Sequence, residues 1–75
     1  MINLSPREVQ VLKEIVDGST NLKIAKKLYI SLATAKAHVS SIFRKLDVAN
    51  RVEAAVKGVE ILRNLEEKQK QEINV

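Results

Sequence analysis

Residues 20–46 read TNLKIAKKLYISLATAKAHVSSIFRKL, and the spacing of their apolar positions decides the fold. Thr20 or Asn21 can cap a short helix over 21–28, in which Ile24, Ala25 and Leu28 share one face. Tyr29-Ile30-Ser31 interrupts that period, and Ser31 is a good N-cap for a longer helix over 32–46. Between Leu28 and Leu32 there is room only for a tight turn. Helices joined so closely cross at a steep angle, the geometry of a helix-turn-helix, here about residues 21–40. In the longer helix Ala35, Val39, Ile42 and Leu46 form an apolar stripe at spacings of four, three and four. Stepping about 100° per residue, the opposite side holds Ala33, Ala37, Ser40 and Arg44, with Lys36 and Ser41 flanking. That outer face is small in its middle and basic at its margins. Short side chains let a helix backbone come close to what it contacts, as a helix lying in a DNA major groove must.

Working outward, Ser5-Pro6-Arg7-Glu8 is a strong helix start. Ser5 suits the cap, Pro6 the first turn, and Glu8 can reach back to Ser5. Val9, Leu12, Ile15 and Val16 then share a face, and Asp17-Gly18 stops the helix, giving a helix over about 6–17. Asp47-Val48-Ala49-Asn50 reads as a turn. Asn50-Arg51-Val52-Glu53 has capping-box spacing and opens a helix over 51–65, with Val52, Ala55, Val56, Val59 and Leu62 on the face expected to serve the core first. Gly58 inside that helix marks either a close helix–helix approach or a tolerated surface glycine. Residues 66–75 are a polar run with good helix propensity and little to bury. The expectation is an all-α, compact four-helix domain over 1–65 with a central helix-turn-helix and a polar C-terminal extension.

Composition narrows the function. Seventy-five residues support one small domain. The absence of Cys excludes disulfides and thiolate metal sites, and a single His leaves a zinc site short of ligands. No apolar run approaches the roughly 20 residues of a membrane span, and the N-terminus lacks the apolar stretch of a secretory signal, so a cytoplasmic setting is expected. Two aromatics, Tyr29 and Phe43, are too few for a base-stacking platform of the kind single-strand binders use. The formal net charge of +4 is unevenly spread. Residues 23–51 carry seven Lys or Arg against Asp47 alone, while the flanking segments are each at −1. A basic centre points to a polyanionic partner, although a Lys-rich solvated surface would give the same count.

Leu4-Ser5-Pro6-Arg7-Glu8, Val11-Leu12, Gly18, Asn21, Ile24-Ala25, Leu28, Ile30-Ser31, Thr34, Lys36, His38, Ile42, Lys45-Leu46, Val48 and Arg51 fall in the order and spacing of LuxR/NarL-type helix-turn-helix domains. Arg51-Val52-Glu53-Ala54-Ala55-Val56 resembles the NarL-type branch in particular. The resemblance spans about residues 4–60. It implies a DNA-binding domain of bacterial transcription regulators, usually C-terminal to a receiver or ligand-binding domain, with some members standing alone. It also implies double-stranded DNA as partner, the third helix in the major groove, a homodimer on paired half-sites contacting through the fourth helix, and RNA polymerase as a further partner. Three positions depart from the family pattern. Lys23 stands where an acid is usual, Ala35 where Val is usual, and Asp47 where Gly is usual, the last in a turn that favours left-handed backbone.

Carried over position by position, Lys36, Ala37 and Ser40 are the candidates for base edges. Lys can donate to guanine O6 and N7, and Ala can touch a thymine methyl. Lys36 on a phosphate is the competing reading. Asn21, Lys26, Ser31, Thr34, Ser41, Lys45 and Arg51 are the phosphate candidates, with plain capping a competing role for Ser31 and Asn21. Arg44 falls to phosphate or solvent, and Lys23 and Lys27 to solvent or long-range steering. Ala55, Val59 and Leu62 are the dimer candidates. His38 sits about 60° from the buried stripe of its helix, which suits partial packing. With no nucleophile, second His or Cys beside it, neither catalysis nor metal binding is read there. Glu8, Glu14 and Asp17 read as helix-start acids or solvated charges. No enzyme, cofactor or metal is expected. The other function class left open is a helical protein-interaction module that kept the fold and lost DNA binding, though such a face would favour aromatic and larger apolar anchors.

Overall fold

The computed structural model describes residues 3–73, with side chains placed through residue 67. Four helices follow in order: α1 Pro6–Val16, α2 Asn21–Leu28, α3 Leu32–Leu46 and α4 Arg51–Ile73. Among the described residues there is no strand. α2 and α3 have the expected bounds, and α1 stops one residue early, with Asp17 as its C-cap. α4 continues without a break past the expected end at 65, through the polar run as far as Ile73; residues 74–75 lie outside the described residues.

Each of the first three helices starts on a hydroxyl and stops on a left-handed residue. Ser5, Thr20 and Ser31 accept hydrogen bonds from the backbone N–H groups of Glu8, Lys23 and Thr34, satisfying amides that the helix itself leaves unpaired. Ser5 and Glu8 complete a full capping box. At the other ends Gly18, Tyr29 and Asp47 have φ of 83°, 56° and 55°. The residue after each then donates back to a carbonyl in the last turn: Ser19 to Glu14, Ile30 to Ala25 and Val48 to Phe43. This reversal turns Ile30 and Val48 onto the core. The close α2–α3 junction thus rests on Tyr29, not on a glycine.

The core is aliphatic. Val11, Leu12 and Ile15 of α1, Ile24 and Ala25 of α2, and Ala35, Val39, Ile42 and Leu46 of α3 are buried, joined by Ala54 of α4. α1 packs on α3 and α4, and α2 packs on α3. The stripe expected on α3 is buried in full. Two faces differ from expectation. On α1 the buried set is Glu8, Val11, Leu12 and Ile15, while Val9 and Val16 are only half-buried.

On α4 the reading that Val52, Val56 and Val59 serve the core is overturned: they stand 73%, 70% and 44% exposed. The inward face is Ala54 and Gly58, with Ile61 and Leu62 partly buried beside them. The physical reason is proximity. A Cβ at Gly58 would lie 2.8 Å from Val16 Cγ2 and 2.9 Å from Leu12 Cδ1, so the helices cross too closely for a branched side chain. The Asn50 cap holds, accepting from Glu53 N–H at 3.0 Å. Glu53 reaches back one residue further than a capping box requires, accepting from Ala49 N–H at 2.8 Å.

Candidate nucleic-acid interface

α3 presents the small-centred face that its periodicity predicts. Ala33, Ala37, Ser40 and Arg44 are exposed, as is Lys36 at one margin, and Ser41 is half-buried at the other. The face stays open because the opposite stripe is wholly committed to the core. Among the described residues Lys36, Arg44, Lys26 and Lys23 form no ion pair. Lys27 is different: its ammonium lies 3.2 Å from Glu14 Oε1. The Ser19 hydroxyl donates to the same carboxylate at 2.8 Å and, with Lys27, holds the Glu14 pKa below its ordinary value against the effect of burial.

The seven phosphate candidates fall into distinct settings. Lys26 is exposed on α2. Ser31 donates to Thr34 Oγ1 at 2.8 Å while accepting from Thr34 N–H, which leaves the Thr34 hydroxyl proton uncommitted. Asn21 Oδ1 accepts from Arg51 Nη1 at 2.9 Å, and Arg51 Nη2 donates to the Ser19 carbonyl. The start of α4 is thereby tied to the start of α2, and the Asn21 amide is oriented with its NH₂ left to donate elsewhere.

Ser41 and Lys45 converge on Glu8. The Ser41 hydroxyl donates to Glu8 Oε2 at 2.8 Å, and Lys45 Nζ donates to Glu8 Oε1 at 2.7 Å and to the Asn3 carbonyl at 3.1 Å. Lys45 keeps one ammonium proton free, and Ser41 keeps none. Glu8 is 5% exposed, so it is no solvated charge. The Lys45 hydrogen bond, then the Ser5 N–H, then the Ser41 hydroxyl pull its pKa down to about 2, overcoming the cost of burial. The sequence carries a signal for this: Glu8 precedes Leu12 and Ile15 by four and seven residues, on the buried face of α1.

His38 is half-buried on the flank of α3. Ala55 and Leu62 pack partly against the core, and Leu62 also lines a shallow groove with Leu4, Val9 and Leu65. Of the three dimer candidates only Val59 is exposed, in one stripe with Val52 and Val56. Tyr29, 95% exposed in the α2–α3 turn, carried no expectation. Among the described residues no three His, Asp or Glu side chains gather as metal ligands, and no helix is long and apolar enough to cross a membrane.

Residues 2–57 match the family model for bacterial regulatory proteins of the luxR type. The chain belongs to the LuxR family. Its members are DNA-binding transcription regulators, not enzymes. It is 46% identical over 59 residues to the transcriptional regulatory protein LnrK of Bacillus subtilis, covering 79% of this chain and 27% of that one. It is 45% identical over 53 residues to the nitrate/nitrite response regulator protein NarL of Escherichia coli K12, covering 71% and 24%. A crystal structure of the response regulator ChrA, from a heme-sensing two-component system, superposes with a TM-score of 0.72 at 39% identity, over 81% of this chain and 30% of that one. This LuxR-type chain spans about a quarter of the length of the curated relatives it matches.

Proposed function

We propose that the chain binds double-stranded DNA sequence-specifically, by seating α3 in the major groove, as a homodimer on paired half-sites, and thereby regulates bacterial transcription. The observation that carries this reading is the outward face of α3. Ala33, Ala37 and Ser40 are small and exposed, with Lys36 and Arg44 free of ion pairs at its edge. Lys36, Ala37 and Ser40 are assigned to base edges. Phosphates are assigned to Lys26, to the free Thr34 hydroxyl, the Asn21 NH₂, the remaining Arg51 N–H groups and the third proton of Lys45. Ser31 and Ser41 join them only by exchanging their present acceptors for phosphate oxygens. The homodimer is assigned to α4, where Val59 continues the exposed line of Val52 and Val56, and Ala55 and Leu62 lie half-buried beside it. RNA polymerase as a further partner, and a cytoplasmic setting, are proposed with it, supported by membership of the family and by no contact in the structure.

About four to six neutralised phosphates per monomer would make log affinity fall with log salt at a slope near −4 to −5. The test is a titration of ¹⁵N-labelled chain with duplex at several salt concentrations, followed by selection from a random duplex pool. Amide shifts clustered in residues 20–51, weakening steeply with salt, are the expected result. Shifts confined to α4, or binding indifferent to salt, would sink DNA binding in favour of a protein-interaction module.

A further inference from the structure

We infer that Glu8, far from the base-contacting edge, is a positioning residue of the DNA interface: it fixes the rotation of α3 and cancels the charge of Lys45. The inference rests on the proposed DNA binding. Glu8 is the one buried charged side chain among the described residues, and it bridges to α3 across 33 and 37 positions of sequence. One oxygen accepts from Ser5 N–H and Lys45 Nζ, the other from Ser41, so the carboxylate is anchored to the start of α1 while it grips α3 at two consecutive turns. Taking Ala37 as reference at about 100° per residue, Ser41 and Lys45 lie roughly 40° and 80° to one side, and Lys36 about 100° to the other. A grip on the first flank therefore sets how Lys36 is presented on the second. Rolling α3 by a few tens of degrees would carry Lys36 off the base edges, and Glu8 resists that roll.

Lys45 is 41% exposed at its side chain and 2.7 Å from a buried anion. Glu8 and Lys45 together are neutral, so Lys45 offers a phosphate a hydrogen bond but little net charge. Affinity for arbitrary sequence, which is mostly charge, is held down, while the base-reading flank is left intact.

The experiment measures affinity for a selected duplex and for random duplex over a salt series, in the wild-type chain and in Glu8→Gln, Lys45→Met and the double variant. In Glu8→Gln the random-duplex slope should steepen by about 0.9, the share of one added charge, and random-duplex affinity should rise several-fold. The ratio of selected to random affinity should fall. Lys45→Met should shift the slope the opposite way, and the double variant should return it to the wild-type value. A residue that merely stabilises the fold would lower both affinities and never raise one. Should Glu8→Gln fail to fold, as read by helical circular dichroism, the comparison of Lys45→Met with the double variant decides, since restoring neutrality must steepen the slope by the same amount. Slopes that coincide across the folded variants overturn the inference while leaving DNA binding in place. Absence of salt-dependent duplex binding in the wild-type chain overturns the reading beneath it.

Discussion

A methyl group at Gly58 would meet Val16 Cγ2 at 2.8 Å and Leu12 Cδ1 at 2.9 Å. Val16 is β-branched and stiff, and Leu12 is wholly buried, so neither yields cheaply. Alanine favours a helix over glycine by about 1 kcal/mol, whereas overpacking a tight contact costs about 1–3 kcal/mol. Gly58→Ala is therefore expected to destabilise the chain by about 1 kcal/mol, seen as a lower urea midpoint at unchanged m-value. Asp47 presents the converse case. It holds φ 55° at the C-terminus of α3, where an L side chain is strained and a negative charge opposes the helix dipole. Asn adopts this geometry more readily and is neutral, so Asp47→Asn should stabilise by about 0.5–1 kcal/mol, read as a higher Tm. Loss of stability would mean that the carboxylate makes a stabilising contact of its own.

Between elements, the α1–α3 tie makes stability depend on pH. The Glu8 pKa is about 2 when folded, below its ordinary 4.5, so the folded chain holds the carboxylate ionised where the unfolded chain would protonate it. The resulting stabilisation is complete above about pH 5 and is lost as pH falls from 4.5 towards 2. Allowing for solvent at the half-exposed Lys45, it amounts to about 2 kcal/mol. Urea unfolding at pH 7 and pH 3 should show roughly 60% of this loss in the wild-type chain, since folded Glu8 is still largely ionised at pH 3, and the loss should shrink in Glu8→Gln; an equal loss in both would place the acid sensitivity elsewhere. The same elements show what a sequence can reveal. The bounds of α2 and α3 and the whole α3 stripe were legible because hydroxyl caps and a clean helical period leave few alternatives. The α4 face was not, because a close crossing selects Ala54 and Gly58 for smallness while apolar patterning ranks the neighbouring valines higher. At the interface the open face of α3 was legible from residue size. The committed donors of Ser41, Lys45 and Arg51 were not, since their partners Glu8 and Ser19 lie 32 or more residues away and are brought near only by packing.

For the molecule as a whole, the exposed valines of α4 bear on assembly. Val52, Val56 and Val59 recur at four and three residues, so they stand in one line that nothing else among the described residues covers. Two such lines meeting across a two-fold axis would bury on the order of several hundred Å², well short of the roughly 1,200 Å² at which stable interfaces begin. A pairing this small is expected to be weak in free solution and to form when two half-sites hold the chains side by side, because tethering on one duplex supplies an effective concentration in the millimolar range. Sedimentation should accordingly find a monomer at micromolar concentration and two chains per palindromic duplex. Val56→Glu places two like charges across the line. It should abolish cooperative binding to the palindrome while leaving affinity for a single half-site and the urea midpoint nearly unchanged, since Val56 is 70% exposed and carries little of the core. Cooperativity that survives Val56→Glu would move the contact to the half-buried Ala55 and Leu62 or off α4 altogether, and a fallen urea midpoint would return Val56 to the domain's own packing.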